Sequence, residues 1–135
     1  MIIASRCAPT RDYAVAMTWY LKAAEQGHAA AQCNLGVLFG LGQGVAQDYA
    51  EAMNWYRKAA EQGDADAQNN IGFMYNEAHG VSRDYVQAYM WLKLAAIKDN
   101  KVAKRDLAVT EAKLTKDQIA EAEGLARKWM EKHCK

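Results

Sequence analysis

The sequence contains few of the residues that bind metals, cross-link chains or interrupt helices. Its 135 residues include three cysteines (Cys7, Cys33 and Cys134), three histidines and one proline. An odd number of cysteines without a Cys-x-x-Cys pair disfavours a disulfide framework and favours a reducing compartment. A single proline in a chain rich in alanine, glutamine, glutamate and lysine favours helix throughout.

Long apolar runs and a strong net charge are also missing. No stretch approaches the roughly 20 apolar residues that span a bilayer, and the start, MIIASRCAPT, has no signal-peptide core. We therefore expect a cytoplasmic protein without membrane attachment. A net charge of +1 lacks the basic excess of a nucleic-acid-binding domain, so no nucleic-acid partner is expected.

The sequence does contain an internal repeat. WYLKAAEQG at 19–27 returns as WYRKAAEQG at 55–63, and Asp-Tyr pairs begin at Asp12, Asp48 and Asp84, 36 residues apart. A fixed period of this length is typical of repeat architectures, in which each unit buries its apolar face against its neighbour.

Each unit divides into two helices. Asp48 with Glu51, and Asp84 with Gln87, have the spacing of a capping box at a helix start, while Gly63 marks a helix end. In the tail, Thr115 with Gln118 starts a further amphipathic helix. The pattern predicts seven helices that begin near Asp12, Ala29, Asp48, Ala65, Asp84, Lys101 and Thr115.

Glycine and tryptophan recur at fixed positions of the repeat. Gly36 and Gly72 lie inside second helices, where glycine costs about 1 kcal/mol relative to alanine, so we expect a neighbouring backbone or tryptophan to approach closely. Trp19, Trp55 and Trp91 recur 36 residues apart, and we expect all three in the core.

The motif resembles the Sel-one-like repeat family, a relative of the tetratricopeptide repeat. It is carried by Ala31-Gln32, Leu35-Gly36, Gly44-Val45, Asp48, Ala52, Trp55-Tyr56, Lys58-Ala59-Ala60 and Gln62-Gly63. The resemblance implies an all-α, right-handed solenoid that acts as a protein–protein interaction scaffold or adaptor. The expected division is a leader at 1–11, repeats at 12–47 and 48–83, a divergent repeat at 84–113 and a capping helix at 114–135, which resembles the closing segment of bacterial members.

The pattern departs from the family at two places. The loop glycine is lost at Ala78 and His79, and at Asp99-Asn100 we expect Asn100 to replace the glycine at the helix end.

Candidate catalytic groups are scattered. His28 is expected at a solvated turn, His79 in a structural or partner-contacting loop position, and His133 beside Cys134 makes a poor metal pair. Cys33 is expected on an exposed helix face. The sequence therefore predicts no catalytic residue, metal ligand or cofactor. The alternative is a hydrolase that acts in the concave groove of the solenoid.

A partner-binding groove is expected where the second helices line the concave side of the solenoid. In tetratricopeptide relatives the asparagine before Leu-Gly faces that groove, and residues three or four positions away share its face. Its acidic groups would favour a basic or neutral protein or peptide segment, although Asn34 and Asn70 could instead satisfy nearby backbone. The predicted groove residues are Asn34, Val37, Asp66, Asn70, Phe73, Glu77 and Asp106.

A second surface is expected at the first helix, because the motif begins there without its preceding helix. Tyr13, Met17 and Tyr20 form the predicted self-association edge, through which the chain would form a homodimer or a larger structural assembly. The alternatives are that the leader folds back over this edge, or that the chain is part of a longer array.

Overall fold

The computed structural model describes residues 12–133, which form seven α-helices and no β-strand. All seven begin within one residue of the predicted positions. The helices are α1 Tyr13–Glu25, α2 Ala29–Leu41, α3 Tyr49–Glu61, α4 Ala65–Glu77, α5 Tyr85–Ile97, α6 Lys101–Glu111 and α7 Lys116–His133.

The helices form a solenoid of three stacked hairpins. The pairs α1–α2, α3–α4 and α5–α6 form the hairpins, and α2 packs on α3 and α4 on α5 to join one hairpin to the next. The last helix, α7, packs on α5 rather than on α6. It therefore covers the final repeat, as the sequence predicted, but does not continue the helix order of the repeats.

Side-chain caps set the helix starts. The carboxylate of Asp48 accepts from the backbone N–H of Glu51 at 3.1 Å, and that of Asp84 accepts from Gln87 at 3.0 Å. At the last helix the capping box is reciprocal. The N–H of Gln118 donates to the Thr115 hydroxyl at 3.1 Å, and the N–H of Thr115 donates to the Gln118 side chain at 2.9 Å.

Two turns adopt left-handed backbone without glycine. Asp99 has φ 67°, at the position that Gly27 and Gly63 occupy in the other repeats. The expectation that Asn100 replaces this glycine is wrong, because Asn100 instead caps the start of α6 by accepting from the N–H of Ala103 at 2.9 Å. Ala78 ends α4 with φ 56°.

The glycines inside the second helices admit large side chains from the following helix. A Cβ on Gly36 would lie 2.5 Å from Cδ1 and 2.9 Å from Cζ of Tyr56, and one on Gly72 would lie 2.7 Å from Cγ of Leu92. The close approach that the sequence predicted is therefore present. The neighbours are a tyrosine and a leucine one repeat apart, and not a tryptophan.

The three recurring tryptophans differ in burial. Trp91 is 5% exposed and meets the edge of Trp129 from α7 at a centroid distance of 6.0 Å. Trp55 is half-buried, and Trp19 is 65% exposed. The prediction of a core position is wrong for Trp19, because among the described residues no helix packs on its side of α1.

Cys33 is fully buried on α2. The expectation of an exposed thiol there is therefore wrong. Between residues 12 and 133, no helix combines the length and apolar character needed to cross a membrane.

Candidate functional site

A concave surface opens between α4 and α6, on the side of the solenoid lined by second helices. It encloses a cavity of about 280 Å³. The lining residues are Phe73, Asn76 and Glu77 from α4, with Val102, Arg105, Asp106, Val109, Thr110 and Lys113 from α6 and the residues that follow it.

The apolar part of the cavity is held in place by a short stack of rings. His79 stacks on Tyr49 at 4.4 Å between centroids, and Phe73 meets His79 edge-on at 5.6 Å. On the opposite wall Val109 is 57% exposed. Phe73 and Val109 therefore present apolar surface to the cavity, and the ring stack supports Phe73.

A hydrogen-bonded chain joins the two helices across the cavity. The amide Nδ2 of Asn76 donates to the Thr110 hydroxyl at 3.0 Å, and that hydroxyl donates to the Asp106 carbonyl at 2.9 Å. The Asn76 Oδ1 is buried and has no hydrogen-bond partner among the described residues.

The charges around the cavity are mixed. Burial raises the pKa of the Asp106 carboxyl above its ordinary value, and the neighbouring Arg105 guanidinium, 3.7 Å away, partly offsets this shift. Glu77 adds a second acidic group and Lys113 a second basic one, with the Lys113 ammonium 5.0 Å from the Tyr85 ring centroid. The charges that line the cavity therefore do not by themselves favour a basic segment over an acidic one.

The structure brings together three of the seven predicted groove residues. Phe73, Glu77 and Asp106 all line the cavity. Asn34 lies on α2, away from it, and is half-buried with a solvent-inaccessible Oδ1. The four residues that do not line the cavity are Asn34, Val37, Asp66 and Asn70.

Three of those four residues are buried within the solenoid, so they cannot meet a partner as they stand. Val37 belongs to the main apolar core. Asp66 accepts a hydrogen bond from the Asn100 amide at 3.0 Å, which ties α4 to the start of α6. The Asn70 amide donates to the Cys33 sulfur at 3.8 Å, which is a contact with a side chain and not the backbone contact considered for it.

Helical spacing from Asp106 also gives Val102 and Val109, so sequence reasoning missed four of the nine lining residues: Asn76, Arg105, Thr110 and Lys113. Asn76 lies three residues beyond Phe73 on α4, and Thr110 lies four residues beyond Asp106 on α6. Helical spacing from the residues already chosen could therefore have found them.

The predicted self-association edge lies on α1, outside the cavity. Met17 and Tyr20 are half-buried and pack against Leu35 and Leu38 of α2. The Tyr13 hydroxyl accepts from the Gln43 side chain at 3.1 Å, so Tyr13 is held within its own hairpin.

The histidines do not gather into a reactive cluster. His28 is exposed at the start of α2, and His133 stacks on Trp129 at 4.2 Å. Between residues 12 and 133, no group of three or more His, Cys, Asp or Glu side chains is arranged to hold a metal ion. No observation within these residues supports the hydrolase alternative.

Stacked 36-residue hairpins with an open groove define an all-helical repeat solenoid. The Sel1 repeat pattern matches residues 8–28, 29–64 and 65–100, well over half of the sequence. The chain belongs to the Sel1 repeat family, the Sel-one-like family that its motif resembles. This fold is generally a protein-interaction scaffold, and proteins built from it are typically non-enzymatic.

Two solved structures share this architecture. A protective antigen of uropathogenic Escherichia coli, described as displaying an SLR fold, is 41% identical with a TM-score of 0.87 over 92% of this chain. A Sel1 repeat protein from Oxalobacter formigenes is 40% identical with a TM-score of 0.68 over 74% of this chain. The matches span 27% and 41% of those two proteins, which are longer. Among curated proteins, none matches the sequence.

Proposed function

We propose that the protein is a non-catalytic adaptor that binds an extended peptide or protein segment in the cavity between α4 and α6. The observation that carries this proposal is that Phe73, Glu77 and Asp106 line one concave surface. These residues were chosen from the groove position of tetratricopeptide relatives and from helical spacing. A partly exposed apolar surface beside polar groups is typical of sites that recognise a side chain together with adjacent backbone.

The lining suggests how a segment would bind. An apolar side chain would occupy the space between Phe73 and Val109, where it buries surface already held rigid by the His79 stack. The neighbouring backbone would meet the exposed polar side chains of the lining, such as Glu77 and Arg105. The ligand expected from this chemistry is an apolar residue within an extended, otherwise polar segment.

The test uses peptides selected from a random phage-displayed library on the whole protein. Their affinities are then measured by isothermal titration calorimetry against wild type and Val109→Glu. The variant places a charge in the apolar part of the cavity and is expected to weaken binding at least about tenfold.

Val15→Glu is the matched control. Val15 is a half-exposed valine on α1, and its counterpart one repeat later is Glu51. Its affinity should equal that of wild type. Equal binding by the Val109 variant, or a library that yields no binder, would contradict the assignment of the cavity as the peptide site.

A further inference from the structure

The cavity between α4 and α6 combines apolar surface with charges of both signs in a small volume. Its volume of about 280 Å³ lies near the lower end of the roughly 300–1,000 Å³ that ligand sites enclose. A space of this size suits one large side chain of a bound segment. The identity of that side chain therefore decides which segments bind.

Three rings lead into the cavity from α3. Tyr49 stacks on His79 with centroids 4.4 Å apart, and His79 meets the ring of Phe73 at 5.6 Å with an interplanar angle of 76°. Phe73 lines the cavity and is only half-buried, so its side chain is still accessible there. A further ring placed against Phe73 would form an aromatic pair, which stabilises by more than the apolar area it buries.

The charged groups of the lining favour a ring for a different reason. Arg105 and Lys113 are exposed cations, and Glu77 and Asp106 supply carboxylates to the same cavity. An aromatic ring has negatively polarised faces and a positively polarised edge, so its faces can meet cations while its edge meets carboxylates. An aliphatic side chain would cover the same groups without compensating for the water they lose. Mixed charges that select neither a basic nor an acidic segment therefore favour an aromatic one.

The cations of the lining are placed so that a ring can lie against them. The Arg105 Nε lies 3.7 Å from the Asp106 carboxylate, and the Arg105 side chain is 69% exposed. A guanidinium can pair through its edge and stack on a ring through its face, so the contact with Asp106 leaves a face for a ligand. Lys113 already lies against a ring, with its ammonium 5.0 Å from the Tyr85 centroid.

We propose that the cavity between α4 and α6 recognises an aromatic side chain, which anchors an extended segment against Phe73 and Arg105. This inference rests on the proposed function and names the residue type that the bound segment carries. Segments whose apolar residue is leucine, isoleucine or valine are expected to bind more weakly.

The test compares two side chains of similar size and apolar area that differ in aromaticity. The probes are acetylated and amidated peptides of sequence Gly-Ser-X-Ser-Gly, with phenylalanine or cyclohexylalanine at X. Their dissociation constants for the whole protein are measured by NMR titration, followed at the backbone amides of the cavity. The phenylalanine peptide should bind about fivefold more tightly, because only its ring gains aromatic and cation–π interactions.

Phe73→Leu tests whether the ring on α4 contributes to this preference. Leucine keeps an apolar wall, so the cyclohexylalanine peptide should bind the variant as it binds wild type. The advantage of the phenylalanine peptide should fall to about twofold, because the cations remain but the ring pair is lost. Phe39→Leu is the matched control, since Phe39 is also half-buried but lies on α2 and does not line the cavity. This control should keep the fivefold preference.

The outcomes separate the aromatic anchor from the peptide site itself. Equal affinity of the two peptides for wild type, or no binding of either at about 5 mM, would overturn the aromatic anchor. An undiminished preference in Phe73→Leu would also refute it. If Val109→Glu weakens library-selected peptides that carry an aliphatic anchor, the peptide site stands and the aromatic preference fails. If Val109→Glu leaves the binding of selected peptides unchanged, the peptide site fails as well.

Discussion

Gly36 offers a direct test of how the repeats pack. A methyl group at this position would lie 2.5 Å from Cδ1 and 2.9 Å from Cζ of Tyr56, with the ring Cε1 closer still. Carbon atoms normally pack at roughly 3.5–4.0 Å, so the ring must move by about 1 Å or more. Tyr56 is completely buried, so neighbouring side chains restrict the movement of its ring.

The expected change in stability follows from two opposing terms. Overpacking of a core costs roughly 1–3 kcal/mol, and three ring atoms inside contact distance place this site near the upper end. Alanine in place of a helix-interior glycine returns about 1 kcal/mol. Gly36→Ala should therefore lower the free energy of unfolding by about 2 kcal/mol, or lower Tm by about 7 °C for a chain of this size.

Gly124→Ala is the matched control in thermal and urea unfolding. Gly124 also lies inside a helix, but the nearest atom to its Cβ would be an Arg127 nitrogen at 3.7 Å. This variant should gain up to about 1 kcal/mol. If Gly36→Ala stabilises the protein as much as Gly124→Ala does, Tyr56 does not pack against Gly36 and the proposed helix stacking is refuted.

Three further predictions concern a helix end, a cap and a partly buried carboxyl. Ala78→Gly should raise the free energy of unfolding by about 1 kcal/mol, because glycine adopts the left-handed backbone without strain; an unchanged Tm would contradict this. Asn100→Ala should cost about 2 kcal/mol in urea unfolding, more than Asp64→Ala, because Asn100 both caps α6 and donates to Asp66. Burial raises the pKa of the Asp106 carboxyl above its ordinary value of 3.8, so the folded chain binds the carboxyl proton more tightly than the unfolded chain does. The free energy of unfolding should therefore fall as pH rises through the window just above 3.8. Asp106→Asn should flatten this part of a urea-unfolding profile taken from about pH 3 to about pH 6, and superimposable profiles would refute the assignment.

The helices could be predicted from the sequence because their limits are set locally. An aspartate accepts from a backbone N–H three residues later, as Asp48 and Asp84 do, and this requires no knowledge of distant packing. The 36-residue period then orders the helices. We predicted the left-handed turn at Asn100 and not at Asp99, because asparagine suits both a helix start and a left-handed turn.

The groove could be predicted only in part, because its residues depend on how far each helix is rotated within the stack. Phe73 and Asp106 lie where α4 and α6 face open space. Val37 and Asn70 occupy similar positions in the repeat, but neighbouring helices cover them. For the same reason Trp19 and Trp91 share a position in the repeat and differ in burial, since the covering surface comes from another helix.

The central position of α5 has a consequence for the order in which the protein opens. This helix packs against α4, α6 and α7, whereas α1 packs chiefly on α2. In a repeat protein each unit is stabilised by its immediate neighbours, so local unfolding is expected to begin at α1 and reach α5 last. Amide hydrogens of α5 should exchange most slowly, and those of α1 more rapidly.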